Sequence, residues 1–590
     1  MRLSNPVPFV KPARIAFAAA LATLLTYLPM FANGFTNWDD DLYVTANRFV
    51  QRLTAENVAH HFTSFTSGNY HPLTLIAHSL ICHFFGADPR AFHGVSLLLH
   101  LLNVLLVYHL CARLGASALG AGFAALLFGV HPLHVESVAW VSELKDVQSA
   151  FFFLAAVAAY LEYSREPRRS AWYALSLGLC LLSLLSKSMG VTLPLVLLLV
   201  DFLRGRRVDA TALRDKAPFF LLALLFGTLA LLSQNSAVRS GDGFGLGENL
   251  LVAAHGVLFY LGKAIAPVDL SALYLIPVGV NGRLPPAFTF APLPLLVLAA
   301  AIAALGRRSK TLVFSSLFFL VTLLPVLQIV PVGIAAAADR YFYLPSFGLC
   351  FGAGMALQLL AGAQPALSAW RPRLALLGAA VLLLIFAAAA HERIRVWKDS
   401  VSLWDDVLAK APDSYIALGY RGMAHAAAGA VEPALADFQR ALDVGGDRLF
   451  SAEVYYNRGA LLQRRQQYRE ALADYDRALA LDPRAVKALV NRGNVRDTLG
   501  RPEEALSDYG AAIAVDPGNP LPYFNRGLVH HRLGDAPQAV FDYGQALERD
   551  PWFAPAYEHR SRAYADLGDR RRADADRERA RAVSSGASRP

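Results

Sequence analysis

Three acids in a row, Asp39, Asp40 and Asp41, stand in the stretch Asn37-Trp38-Asp39-Asp40-Asp41-Leu42-Tyr43, directly after a long apolar run. Adjacent carboxylates repel, so at least one of them should hold a proton or a cation more tightly than an ordinary surface acid. That property suits a general base; one Asp capping a short helix while the others are solvated is the plainer alternative. A second polar crowd reads His131-Pro132-Leu133-His134-Val135-Glu136-Ser137-Val138-Ala139-Trp140-Val141-Ser142-Glu143-Leu144-Lys145-Asp146. His134 and Glu136 could meet the first acids across a cleft. Acid, imidazole and carboxylate together could orient a hydroxyl and a phosphate, or hold a divalent cation with Asp40, His134 and Glu136 as ligands; a helix-end hydrogen-bond network accounts for the same residues. Two further cations, Lys187 in Ser186-Lys187-Ser188 and Arg340 in Ala338-Asp339-Arg340-Tyr341, would meet a phosphate through charge-assisted contacts. Snorkelling and an Asp339–Arg340 pairing are the structural alternative.

The elements that must position these groups are membrane spans. The 590 residues are 55% hydrophobic, and most of the apolar excess lies before residue 391, which leaves a bilayer part of about two thirds and an aqueous part of about one third. Apolar segments near 13–33, 93–112, 118–134, 147–163, 171–186, 189–203, 217–234, 290–306, 312–331, 341–362 and 373–390 read as about eleven spans. Lys and Arg collect in alternate short loops: Arg113, then Arg165, Arg168 and Arg169, then Arg204, Arg206, Arg207, Arg214 and Lys216, then Arg307, Arg308 and Lys310, then Arg371 and Arg373. These clusters fall on one side only if 249–266 does not cross, so that segment is expected to be re-entrant or interfacial. The expected topology is a cytoplasmic N-terminus, an uncleaved first helix that follows Arg2, Lys11 and Arg14, and an acidic loop over 34–70 facing outward, in a plasma (inner) membrane. The net charge of +9 is explained by these loops rather than by nucleic acid. Cys82, Cys111, Cys180 and Cys350 all lie in apolar stretches, without metal-ligand or disulfide spacing. Ten of the sixteen histidines lie between 60 and 134; His71/His78 and His93/His100, seven apart, fall on one helix face each and would line a polar path or tie helices together.

From Tyr415 the chain repeats itself. Asn457-Arg458-Gly459, Asn491-Arg492-Gly493 and Asn525-Arg526-Gly527 recur every 34 residues, with Asp482-Pro483, Asp516-Pro517 and Asp550-Pro551, and with Ala471, Ala505 and Ala539 each four residues before Tyr475, Tyr509 and Tyr543. This resembles the tetratricopeptide repeat. A weaker first copy carries Arg421-Gly422 and a degenerate last copy keeps Arg560 and Gly568, as terminal copies do. The expected organisation is a membrane domain over 1–395, a linker helix over 396–414, about five repeats over 415–585 forming a superhelix with a concave groove, and a tail at 586–590.

The combination of Trp38-Asp39-Asp40, the His131–Asp146 stretch, Ser186-Lys187, Asp339-Arg340-Tyr341 and outward-facing repeats resembles the transmembrane-and-tetratricopeptide O-mannosyltransferases and their bacterial relatives, membrane glycosyltransferases of the GT-C class. The resemblance implies an all-α, GT-C-like multi-pass domain followed by a repeat solenoid. It also implies transfer of a sugar, mannose by analogy, from a polyprenyl-phosphate donor to a protein hydroxyl with inversion. Asp39 or Asp40 would take the acceptor proton. His134 and Glu136 would position phosphate or acceptor, Lys187 and Arg340 would neutralise the leaving phosphate, and His131, Lys145, Asp146, Asp339 and Tyr341 complete the implied substrate-binding set. The third acid, Asp41, leaves open which aspartate is the base. The implied partners are the bilayer, the lipid-linked sugar and an acceptor protein held by the repeats; no cofactor other than an optional divalent metal is implied. A non-catalytic scaffold for envelope proteins is the competing reading. A flippase fits less well, because the acids gather at the outer edge and not mid-span.

Overall fold

The computed structural model describes residues 11–166, 170–207, 209–234, 244–276, 283–330, 335–362 and 370–585. Arg2, Arg168, Arg169 and the tail at 586–590 lie outside them. The described chain is almost wholly helical; its one sheet, among the described residues, is a two-stranded antiparallel ribbon of Tyr274–Leu275 and Ala335–Ala337. It divides into two units, Met1–Lys410 and Ala411–Pro590.

Among the described residues of the first unit six helices are long and apolar enough to cross a bilayer: Pro12–Ala32, Pro89–Arg113, Val141–Arg165, Ala210–Ser233, Pro286–Gly306 and Trp370–Val396. A seventh candidate is the pair Ala118–Val130 and Pro132–Ala139, bent by 52°. The other four of the eleven apolar segments fold as shorter helices, Ser170–Ser186, Ser188–Leu203, Lys310–Val326 and Ser346–Gly362. Breaks at Lys187 and around Asp339 shorten them, and those breaks turn out to carry the site. Pro72–Phe85 is an apolar helix that the sequence reading passed over, because its histidines His78 and His83 hid the run. Leu246–Ile265 forms a helix over the ambiguous segment 249–266.

A bilayer is written on the surface of this unit. Pro292–Gly306 has no buried residue at all, and Leu293, Leu296 and Val297 are exposed; such an apolar face suits contact with lipid. Inside, small residues let helices touch: a Cβ on Gly120 would lie 2.7 Å from the carbonyl oxygen of Gly354, so Ala118–Val130 and Ser346–Gly362 cross backbone to backbone. Several basic loop residues are tied together by ion pairs, Arg113 with Glu162, Lys216 with Asp201, and Arg206 with Asp215.

The second unit is five antiparallel helix pairs, from Tyr415–Ala427 with Val431–Val444 to Ala554–Asp566 with Arg570–Ser584. The Arg-Gly of each central repeat now has a physical reason. Arg458, Arg492 and Arg526 each grip an aspartate sixteen residues on, Asp474, Asp508 and Asp542, through two hydrogen bonds between 2.6 and 3.1 Å. The glycine beside each arginine faces a tyrosine ring, with a Cβ on Gly493 falling 2.7 Å from Tyr509 Cε1. Arg421–Asp437 and Arg560–Asp576 repeat the fork in the first and last pairs.

Candidate active site

The acidic triplet is split three ways by its backbone. Asp40 is buried, with Oδ2 accepting from the Thr36 amide at 2.8 Å and hydroxyl at 3.1 Å. Its Oδ1 accepts from the Ser142 amide at 2.9 Å and from the Ser142 hydroxyl. All four contacts are internal, so Asp40 fastens the first loop to the segment before helix Leu144–Arg165. Burial pushes its carboxyl up to about 6 against the pull of those donors. Asp41 opens the short turn Asp41–Thr45 and is exposed. Asp39 sits between them at φ +77°, a left-handed conformation costly for a residue with a Cβ, and its side chain lines a cavity. Burial raises its carboxyl above the ordinary range, with Lys145 and then Arg340 opposing.

That cavity, about 780 Å³, has two characters. One end carries Asp39, Glu143, Lys145, Lys187, Arg340 and Tyr341; much of the rest is walled by apolar side chains such as Leu224, Phe226 and Leu231 from one helix and Leu324, Val326 and Ile329 from the turn and bend at 324–330. Each charged group sits where a helix stops: Lys145 in the first turn of Leu144–Arg165, Lys187 in the extended break after Ser170–Ser186, and Arg340 in the turn Asp339–Phe342. The cations are held by the chain's own acids. Arg340 pairs with Glu136 through its guanidinium and donates its amide to Glu136 at 3.3 Å. Lys187 bonds Asp146, whose other oxygen accepts from the Ser137 hydroxyl at 3.0 Å. Glu143 reaches all three cations: Lys145 at 3.1 Å, Lys187 at 3.1 Å and Arg340 Nε at 3.4 Å. Sequence reasoning did not select Glu143, because nothing in its spacing distinguishes it from a helix-end acid.

His71 lines the cavity, but His134 and His131 go elsewhere. His134 bonds the Phe128 carbonyl through Nδ1 at 2.7 Å and the Ser346 hydroxyl through Nε2 at 3.0 Å, packed among Phe128, Phe342 and Tyr343. His131 accepts from the Leu133 amide and donates to the Ala264 carbonyl at 3.2 Å, against Phe386. Neither lines the cavity. The trio Asp40, His134 and Glu136, the candidate cation ligands, is therefore not brought together: each has its polar atoms committed to a different internal partner. Among the described residues no three His, Cys, Asp or Glu side chains converge as a metal site would need. Asp339 also turns away from its neighbour Arg340, accepting from the Tyr274 hydroxyl at 2.8 Å and facing Arg393 at 3.9 Å.

The end of the last long helix and the chain that follows it close over the first loop. Asn33 Nδ2 donates to the Ile394 carbonyl at 3.0 Å, the Gly34 amide to the Lys398 carbonyl at 2.8 Å, and the Asn37 amide to the Ser400 hydroxyl at 2.9 Å. Trp38 stands edge-on to Trp404, with ring centroids 5.0 Å apart, and stacks on Trp140, which stacks on Trp397. Trp140 in turn carries the Arg340 guanidinium 5.4 Å from its ring centre.

Fold and site together define a polytopic helical membrane protein with a tetratricopeptide-repeat unit. Models described as "Tetratricopeptide repeat" match residues 388–448, 452–484 and 522–551, and one described as "TPR repeat" matches 498–534. Over most of its length the chain is similar to curated proteins named protein O-mannosyl-transferases. It is 26% identical to Protein O-mannosyl-transferase Tmtc3 of Drosophila melanogaster over 71% of this chain and 52% of that protein. It is 27% identical to Protein O-mannosyl-transferase Tmtc1 of the same fly over 75% and 62%, and 33% identical to Protein O-mannosyl-transferase TMTC1 of Homo sapiens over 21% and 13%. The chain thus spans between about half and three fifths of the two fly proteins. Among solved structures, a crystal structure of MamA protein, 19% identical, covers 30% of this chain and 93% of its own at a TM-score of 0.27.

Proposed function

We propose that this chain is a membrane glycosyltransferase that moves a sugar from a polyprenyl-phosphate donor to a hydroxyl of an acceptor protein held by the repeats. The observation that carries the reading is the cavity: a carboxylate, Asp39, that the three cations do not tie up in ion pairs as they do Glu143, with Lys145, Lys187 and Arg340 at one end, and an apolar wall that suits a lipid tail. The names of the relatives favour mannose. Asp39 removes the acceptor proton while the acceptor oxygen attacks the anomeric carbon. The bond from that carbon to the phosphate oxygen breaks, its electron pair leaves with the polyprenyl phosphate, and the configuration inverts. Lys145, Lys187 and Arg340 stabilise the charge that develops on the departing phosphate. Asp39 is the better base than Asp40, because Asp40 has both oxygens committed to Thr36 and Ser142.

Sidedness follows the same reading. The bonds from residues 33–37 to residues 394–400 put the exit of the last long helix at the end of the membrane domain that holds Asp39. An extracytoplasmic first loop in the plasma (inner) membrane, with the N-terminus cytoplasmic, then delivers the repeats to the compartment where acceptors are found. Comparative glycoproteomics of that compartment, in cells carrying the chain, lacking it, or carrying Asp39→Asn, tests the function. Modified peptides should vanish in the last two strains while the variant still inserts at normal abundance. An identical profile in all three would favour the scaffold reading.

A further inference from the structure

Three cations face the cavity, and among the described residues Glu143 is the one carboxylate that touches all of them, Oε1 meeting Lys145 and Arg340 and Oε2 meeting Lys187. Glu136 and Asp146 also hold Arg340 and Lys187, but from behind: neither lines the cavity, whereas Glu143 does. A carboxylate with two oxygens spread over three cations at the polar end of a lipid-shaped cavity stands where the non-bridging oxygens of a phosphate would have to sit. The charges lead to the same place. With Glu136, Glu143 and Asp146 ionised, Lys145, Lys187 and Arg340 are balanced before Asp39 is counted, so an incoming anion meets a cluster one charge more favourable once Glu143 lets go.

We propose that Glu143 is a specificity-determining residue that stands in for the donor's phosphate: it occupies the three cations in the resting site, is displaced when a polyprenyl phosphate enters, and returns as the spent phosphate leaves. This rests on the lipid-phosphate reading of the cavity and adds the residue that limits how tightly that phosphate is held. A carboxylate that only spaced the cations would, when removed, loosen the phosphate site. A competing carboxylate would, when removed, tighten it, so the two roles differ in sign.

The test uses the full chain in detergent and farnesyl phosphate as the probe, with binding followed by calorimetry. Glu143→Gln should bind farnesyl phosphate about tenfold more tightly than the wild type, the size expected for losing one partly buried like charge beside the ligand. Adding Lys145→Met to that variant restores the charge balance and should return the Kd most of the way to the wild-type value. Farnesol, with the same tail and no phosphate, should not respond. Unchanged or weaker binding of farnesyl phosphate by Glu143→Gln, or an equal gain for farnesol, would overturn the proposal. Inorganic phosphate binding as tightly as farnesyl phosphate would overturn the lipid as the source of the anion. Should Glu143→Gln fail to fold, Glu143→Asp keeps the charge but is too short to span three cations, and should tighten binding about threefold; no gain there would be equally fatal. A wild-type chain that ignores farnesyl phosphate sinks the donor reading itself, whereas normal wild-type binding with no gain in the variants sinks only the role of Glu143.

Discussion

Trp404 donates its indole N–H to the side-chain oxygen of Asn37 at 2.7 Å, across 367 residues of sequence. Asn37 lies two residues before Asp39, and Asp39 holds a left-handed backbone that must be enforced from outside. The enforcement comes from the end of the last long helix and the segment after it, through Ile394, Lys398, Ser400 and Trp404. Asn37→Ala removes the acceptor beside the indole and should lower kcat about fivefold with KM for the donor nearly unchanged, since one hydrogen bond of this kind is worth about 1 kcal/mol. Hydrogen exchange over residues 33–40 should quicken in the same variant. Unaltered exchange there would mean that the loop holds its shape without Trp404.

The proton-accepting role proposed for Asp39 has a pH signature. Burial raises its carboxyl, while Lys145 and then Arg340 pull it back down. A base works only when ionised, so kcat should climb as pH rises through the raised value and then level off. Lys145→Met takes away the first of the two opposing cations, which moves the rising limb to higher pH. The kcat profile at saturating donor is the quantity to measure, because it reports the bound complex and not the weakened donor affinity of the variant. A limb that stays in place or moves to lower pH would assign it to another group.

Much of this architecture was legible in the residues, for reasons that differ between the two units. The repeats announce themselves because two geometric demands, a tyrosine ring against the backbone and an arginine fork onto an aspartate, recur at a fixed period. Gly493 and Arg492 therefore cannot drift. The spans are legible because lipid imposes composition over a whole helix. The site is less so. Residue type marks Asp39, Lys187 and Arg340 as chemical, but cannot show that Asp40 is spent on Thr36 and Ser142, or that His131 and His134 face backbone carbonyls and aromatic rings. Glu143 carries no sequence signature at all; its importance lies in where three helix breaks converge.

The tight approach in the repeats makes opposite predictions for two glycines of similar helical setting. A Cβ on Gly527 would lie 2.8 Å from Tyr543 Cε1 and 3.3 Å from Asp542 Cβ, and that tyrosine is fully buried, so the ring has nowhere to move. Gly527→Ala should destabilise the repeat unit by about 2 kcal/mol through overpacking. Gly510, within helix Pro502–Val515, has nothing within 4 Å of its added Cβ. Gly510→Ala should therefore gain about 0.5–1 kcal/mol from helix propensity alone. Amide hydrogen exchange of the helices Pro520–Arg532 and Ala536–Arg549 in the full-length chain measures the first effect, and that of Pro502–Val515 the second. Equal changes at the two positions would show that the Arg-Gly spacing does not arise from the tyrosine contact.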